Sequence, residues 1–131
     1  MNPEVTALIQ GELDDMYDAF QHRDWERFNV HLDPSVTAWE THLPEMIDGQ
    51  AELDALRASR PAPARLSDFG ASALKVDSWG DTAIARYLLI GTDATTAIER
   101  RSRVTEAFRW NGVRWVIVHR HSERLQPVPN A

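Results

Sequence analysis

Apolar side chains in the opening segment recur with helical spacing. Between Pro3 and Phe20 they fall at Val5, Leu8, Ile9, Leu13, Met16, Tyr17 and Phe20, while Glu12, Asp14, Asp15 and Asp18 occupy other faces, which predicts an amphipathic helix. Asn2 before Pro3 supplies an N-cap and a residue pre-set for the first turn, and Glu4 sits favourably at the positive end of the helix dipole. Asp24 caps a second, shorter helix from Trp25 to Leu32, in which Trp25, Phe28 and Leu32 share a face until Asp33-Pro34 ends it. The β-branched and aromatic stretch Ser35 to Thr41 predicts a strand leading into a loop at Pro44. After Gly49, the rhythm of Ala51, Leu53, Ala55, Leu56 and Ala58 predicts a third helix, stopped by the prolines between Arg60 and Pro63.

From Leu66 onward the pattern is that of strands. Residues 66–79, 82–92, 97–110 and 113–122 read as four of them, with turns at Gly80-Asp81 and Asn111-Gly112 and a linker around Asp93 to Thr96. Helices first and long antiparallel strands afterwards predict an α+β fold with the helices on one face of the sheet. The tail 127–131 carries two prolines and no periodicity, so it is expected to fray, leaving residues 1–126 as a single domain.

Composition narrows the function. At 131 residues and 43% hydrophobic, the chain is long enough for one buried core. Fourteen Lys and Arg against 20 Asp and Glu give a net charge of -6, which argues against nucleic acid or an anionic membrane as partner. The absence of cysteine removes disulfide scaffolds, thiolate zinc sites and cysteine nucleophiles. Met1 to Gln10 has neither a basic leader nor an apolar stretch, and no run of about 18 apolar residues occurs; a cytoplasmic protein is expected. Glycine-rich phosphate loops, nucleophile elbows and dinucleotide fingerprints are missing, so no cofactor is expected.

Three segments carry a likeness to a known family: "HRDWERFNVHLDPSVTAWET" at His22 to Thr41, "IDGQAELDAL" at the third helix, and "RVTEAFRWNGVRWVIVHRHS" at Arg103 to Ser122. They resemble the SnoaL-like branch of the nuclear transport factor 2-like superfamily, and within it are similar to the association (hub) domain of calcium/calmodulin-dependent protein kinase II. The resemblance implies a cystatin-like cone, three N-terminal helices packed on a strongly curved antiparallel sheet, that forms a homodimer or higher homo-oligomer through the open sheet face. It also implies a function drawn from a family that includes isomerases, dehydratases and cyclases as well as members that only bind or assemble.

Candidate chemistry concentrates at strand ends. His119 and His121, two apart, are expected to share a face with Trp115 and Ile117, and imidazoles over an apolar floor can carry a proton or hold an anion. The competing reading is a core or interface histidine satisfied by a carbonyl. A metal would need a third ligand from Glu40, His42 or Glu106, and none is expected. A two-residue turn at Asn111-Gly112 pairs Trp110 with Val113, Phe108 with Trp115, Glu106 with Ile117 and Val104 with His119, which makes Glu106 a neighbour of His119 and a proton-transfer group or counter-ion. A bulge at Gly112 instead slips the register, turns Glu106 to solvent on the Arg120 side, and puts Arg103 and Thr105 on the histidine face.

Glu40, beside Trp39, stands where the isomerase-like members carry their catalytic carboxylate, and burial against Trp39 would tune it as a base; a solvated strand-end Glu is the alternative. Tyr17 is read as core from its spacing. Seven arginines crowd the last hairpin region, Arg103 among them, and either meet the acidic first helix across a subunit contact, bind a carboxylate inside, or stay solvated. The expected pocket joins Trp39, Glu40, Tyr87, Phe108, Trp115, His119 and His121. Its ligand is a small molecule. With Glu40 or Glu106 as base and His119 or His121 as acid, it is a cofactor-free isomerase, dehydratase or cyclase acting on a partly apolar carbonyl compound. The alternative is a non-catalytic module that binds through Arg103 and His119 or builds an oligomer.

Overall fold

The computed structural model describes residues 2–41, 43–60 and 65–126. The tail expected to fray, the prolines expected to stop the third helix, and His42 all lie outside the described residues. Helix α1, Pro3–Gln21, begins as the sequence predicts: Asn2 Oδ1 accepts the N–H groups of Glu4 and Val5 at 3.0 and 3.3 Å. Its apolar stripe buries Ile9, Leu13, Met16 and Tyr17. Helix α2, Trp25–Asn29, is shorter than predicted, and strand β1, Leu32–Trp39, starts earlier. Tertiary pairing overrides the helical phase at that point, because the carbonyl of His31 accepts the N–H of Ile117 at 2.9 Å and draws the chain into the sheet. A two-residue strand, β2 (Ile47–Asp48), escaped the sequence reading; it precedes α3, Gln50–Ala58.

Strands β3 (Leu66–Trp79), β4 (Thr82–Asp93), β5 (Glu99–Trp110) and β6 (Trp115–Leu125) complete one six-stranded sheet in the order β2-β1-β6-β5-β4-β3. Its pairs are antiparallel except β1 with β6, which run parallel, so the sheet is mixed where an antiparallel one was expected. Register shifts interrupt β3, β1 and β6, and irregularities of this kind bend strands and sharpen their twist. The inner face packs on α1 around Val76, Ala83, Ala85, Val104, Phe108 and Ile117.

Neither register foreseen for the last hairpin forms. Asn111 Oδ1 accepts the N–H groups of both Val113 and Arg114 at 2.9 Å, which stabilises a longer loop in the way Asn side chains cap turns, and Gly112 takes φ +97° within it. Trp110 therefore faces Trp115, and Phe108 faces Ile117. One step on, Ala107 pairs with His119, so Val118 is an extra residue in β6. That single bulge inverts the alternation. Trp115 and Ile117 point inward, as do Arg120 and Ser122, whereas His119 and His121 stand on the outer face with Thr37, Trp39 and Thr105.

The acidic face of α1 finds partners inside the chain. His31 places Nδ1 2.7 Å from Glu12 and Nε2 2.7 Å from Asp15, Arg114 approaches Glu12 at 3.8 Å, and Arg27 pairs with Asp15 and Asp18. These contacts tie α1 to the start of β1 and to α2, where a subunit contact had been one expectation.

Candidate functional site

Between the helices and the inner sheet face lies a cavity of about 620 Å³. Aromatic and aliphatic side chains from α1 to α3 form one wall, among them Met16, Phe20, Trp25, Phe28 and Leu53; the sheet forms the other, with Val36, Ala38, Phe69, Leu89 and Ile117 from β1, β3, β4 and β6 and polar side chains from β5. Gly91 is required here. A Cβ at this position would come 2.8 Å from Phe69 Cδ1 and 3.2 Å from Leu66 Cδ1, so the missing side chain lets Phe69 close over β4 beside the cavity.

A polar cluster centred on Arg120 is set into this apolar wall. Its Nη1 donates to Tyr17 Oη at 2.7 Å and to Glu106 Oε2 at 3.0 Å, and its Nε donates to Glu40 Oε1 at 3.0 Å. Tyr87 Oη donates to Glu106 Oε1 at 2.7 Å, and the two tyrosine oxygens lie 2.5 Å apart. Ser122 Oγ donates to Glu40 Oε2. The donor directions follow from chemistry: guanidinium only donates and carboxylate only accepts. Tyr87 spends its proton on Glu106, so Tyr17 must donate to Tyr87 while accepting from Arg120. Each hydroxyl proton in the ring is committed. Arg120 Nη2 is the donor left over, having no hydrogen bond to the described residues.

Electrostatics match this picture. Burial pushes Glu106 above the ordinary carboxylate value, with Arg120 and Tyr87 pulling back. Burial also raises Tyr17 to about 12 and takes Tyr87 well above its usual value, the Glu106 charge adding to the latter. Burial works against the charge on Arg120, but Tyr17, Glu40, Tyr87 and Glu106 outweigh it and leave the guanidinium more firmly protonated than usual. A buried cation flanked by two carboxylates is the arrangement that makes such an ion cluster tolerable.

The structure brings Glu40, Glu106 and Tyr87 together and separates them from the other residues expected beside them. Glu106 is fully buried and meets Arg120 across the strand pair, where His119 or solvent had been foreseen. His119 and His121 lie on the outer face, with His119 Nδ1 2.7 Å from Thr37 Oγ1, because the Val118 bulge reverses their side. Trp39 is 47% exposed on that same face and does not wall Glu40. The Arg103 side chain is 60% exposed and pairs with Glu123 at 2.8 Å. Phe108 and Trp115 are buried in the core beside the cavity. Tyr17, Arg120 and Ser122 are the residues the sequence reading did not place in the site; the signal for Tyr17 was its position on the buried stripe of α1, and for Arg120 and Ser122 it required the bulge. Among the described residues no group of three His, Cys, Asp or Glu is arranged to hold a metal, and no helix is long and apolar enough to cross a membrane.

A cavity walled by N-terminal helices and a bent mixed sheet defines the class: this is the cystatin-like, nuclear transport factor 2-like fold, and solved structures described as cystatin-like folds match it. The SnoaL-like domain model matches residues 9–123, and the chain belongs to that family. An NTF2-like protein of unknown function from Pseudomonas putida matches with TM-score 0.77 at 18% identity, over 94% of this chain and 88% of that one. The CaMKII hub from S. rosetta matches with TM-score 0.77 at 20% identity, over 92% and 96%. A ketosteroid isomerase-like protein from Parabacteroides distasonis matches with TM-score 0.68 at 19% identity, over 85% and 83%. At these identities the likeness establishes the fold. No curated protein matches the sequence closely enough to lend it an activity.

Proposed function

We propose that residues 1–126 form one cytoplasmic, cofactor-free domain that binds a small, mainly apolar molecule in the cavity, with Arg120 Nη2 donating to an oxygen of the ligand. The observation that carries this reading is the closed hydrogen-bond ring. A cavity of about 620 Å³ with apolar walls suits a small organic ligand. In the polar cluster beside it the hydroxyl protons of Tyr17, Tyr87 and Ser122 are committed and Glu106 accepts from both Tyr87 and Arg120, which leaves these groups engaged with one another and not poised for proton transfer. The same proposal makes the outer sheet face a self-association surface, as the likeness to a hub domain suggests; Trp39 is exposed there.

A second reading, proton transfer with Glu40 as base, is favoured by one feature: the Glu40 side chain lines the cavity and is 26% exposed. Thermal-shift and calorimetric screening of small apolar carbonyl compounds separates the two. Under the binding reading, ligands raise the melting temperature of the wild type and do so less in the cavity-filling variant Leu56→Trp, while the α-hydrogens of bound carbonyl compounds do not exchange with deuterated water. Exchange that disappears in Glu40→Gln with binding retained would replace binding by catalysis. Sedimentation equilibrium tests the oligomer, whose expected minimum is a dimer.

A further inference from the structure

The cavity has a charged rim that its apolar interior does not explain. Of the side chains lining it, the exposed ones are Thr41, Arg60, Arg100 and Arg124, and three of these four are arginines in a chain of net charge -6. Arg124 and Ser102 are direct cross-strand partners on β6 and β5, and Arg100 precedes Ser102 by two on the same face. Facing pairs hold their Cβ atoms about 5 Å apart, and alternate residues of a strand lie roughly 7 Å apart. Two guanidinium groups and a hydroxyl therefore start from one small patch of the inner sheet face, at the end of the cavity away from the Phe108 core.

The charge balance at this patch is positive. Arg100 is anchored by Asp93 at 3.1 Å, and Asp93 is itself held by the N–H groups of Thr95 and Thr96 at 2.8 and 3.1 Å. Arg124 uses its backbone N–H on Thr41 Oγ1, and its guanidinium has no carboxylate partner among the described residues. The other nearby acids are engaged elsewhere: Glu99 with Arg101, and Glu123 with Arg103 on the outer face. One uncompensated guanidinium thus stands at the edge of an apolar cavity, beside a second that is fixed in place.

We infer that the ligand is an amphiphilic organic acid, its apolar body in the cavity and its anionic head at the rim between Arg124, Ser102 and Arg100. Arginine suits this role because its planar fork can bind a carboxylate or sulfonate through two parallel hydrogen bonds. The inference rests on the binding reading above and adds the charge and the orientation of the ligand.

Two dyes with the same aromatic body test it: anilinonaphthalenesulfonate, which carries an anionic head, and phenylnaphthylamine, which does not. Both are titrated by fluorescence into the folded wild type, Arg124→Gln and Arg124→Glu, and then displaced with decanoate or decanol. The sulfonated dye is expected to bind at least about tenfold tighter than the neutral one to the wild type, a difference of about 1.4 kcal/mol. The gap should close in Arg124→Gln and reverse in Arg124→Glu, with decanoate the better competitor only for the wild type. Equal binding of the two dyes, or a gap unchanged in Arg124→Glu, would overturn the inference and leave the apolar pocket standing. If neither dye nor either decyl compound binds, the binding reading falls with it. A carboxylate preference appears as decanoate displacing the sulfonated dye; failure of decanoate with tight sulfonate binding would overturn the carboxylate form of the acid and leave the sulfonate or phosphate form.

Discussion

Replacing Arg120 with methionine removes the cation that holds the polar cluster together. In Arg120→Met, Glu106 keeps the Tyr87 hydrogen bond at 2.7 Å and loses its charged partner at 3.0 Å, while remaining fully buried. Leaving one member of a buried ion pair alone costs about 3–5 kcal/mol. Glu40 suffers less, since its side chain is 26% exposed and retains Ser122. For a domain of 131 residues the loss corresponds to a melting temperature lower by roughly 10–20 °C. The size of the effect depends on pH, and the sign follows from Glu106. Its folded-state pKa already lies above the ordinary value of 4.5, and without Arg120 it rises further. A carboxyl with a raised folded-state pKa supports the fold below its unfolded value and withdraws that support as pH rises through the folded value. The deficit of Arg120→Met is therefore smallest near pH 4 and grows toward neutrality.

The assay is urea unfolding followed by tryptophan fluorescence, at several pH values, on the wild type, Arg120→Met and the double variant Arg120→Met/Glu106→Leu. Removing both charges is expected to recover most of the loss, because an apolar replacement of a buried ion pair is often neutral or better. A neutral-pH cost below about 1 kcal/mol, or a cost that does not change with pH, would refute the claim that the Arg120–Glu106 pair is electrostatically coupled in a low-dielectric site.

Three further outcomes are expected. Both tyrosines of the chain are buried with raised pKa values, Tyr17 to about 12; ultraviolet titration should show no tyrosinate below about pH 11, and alkaline unfolding should accompany ionisation as pH rises through the folded-state values. Gly91→Ala forces a Cβ to within 2.8 Å of Phe69 and should destabilise by about 1–3 kcal/mol in chemical denaturation. Asn2→Ala removes the acceptor for two helix N–H groups and should cost about 1 kcal/mol, read as a lower urea midpoint with unchanged slope.

Much of the fold was legible because its signals are local. The Asn2-Pro3 cap, the stripe from Ile9 to Tyr17, and the strand boundaries near Leu66, Trp79, Thr82 and Trp110 each follow from residues a few positions apart. What escaped depends on distant partners. The chain leaves α2 early because His31 and Leu32 pair with Ile117, more than eighty residues away, and β2 exists only because Thr37 and Ala38 offer it an edge. For the site, Glu106 stood out as a carboxylate on an apolar strand face, whereas Glu40 was marked by the resemblance to the isomerase-like members. Arg120 was not, since a lone arginine among seven in a basic hairpin region is on its face a solvated charge.

The inward turn of Arg120 follows from one residue. Strict alternation from Trp115 would carry Ile117, His119 and His121 to the cavity and leave Arg120 outside, the arrangement the sequence suggests. Val118 inserts between the Ile117 and His119 pairings, and every later side chain of β6 changes face. The exchange is energetically selective: it moves two imidazoles to the outer face and brings to the interior a guanidinium that finds Glu106, Glu40 and the Tyr17–Tyr87 pair waiting. Without the bulge, the Phe108–Ile117 pairing would continue to set Glu106 opposite His119, an imidazole whose charge depends on pH, in place of a guanidinium that is always protonated. The bulge thus sets a permanent cation against the buried carboxylate, and the same shift places Arg124 on the cavity side, beside Ser102.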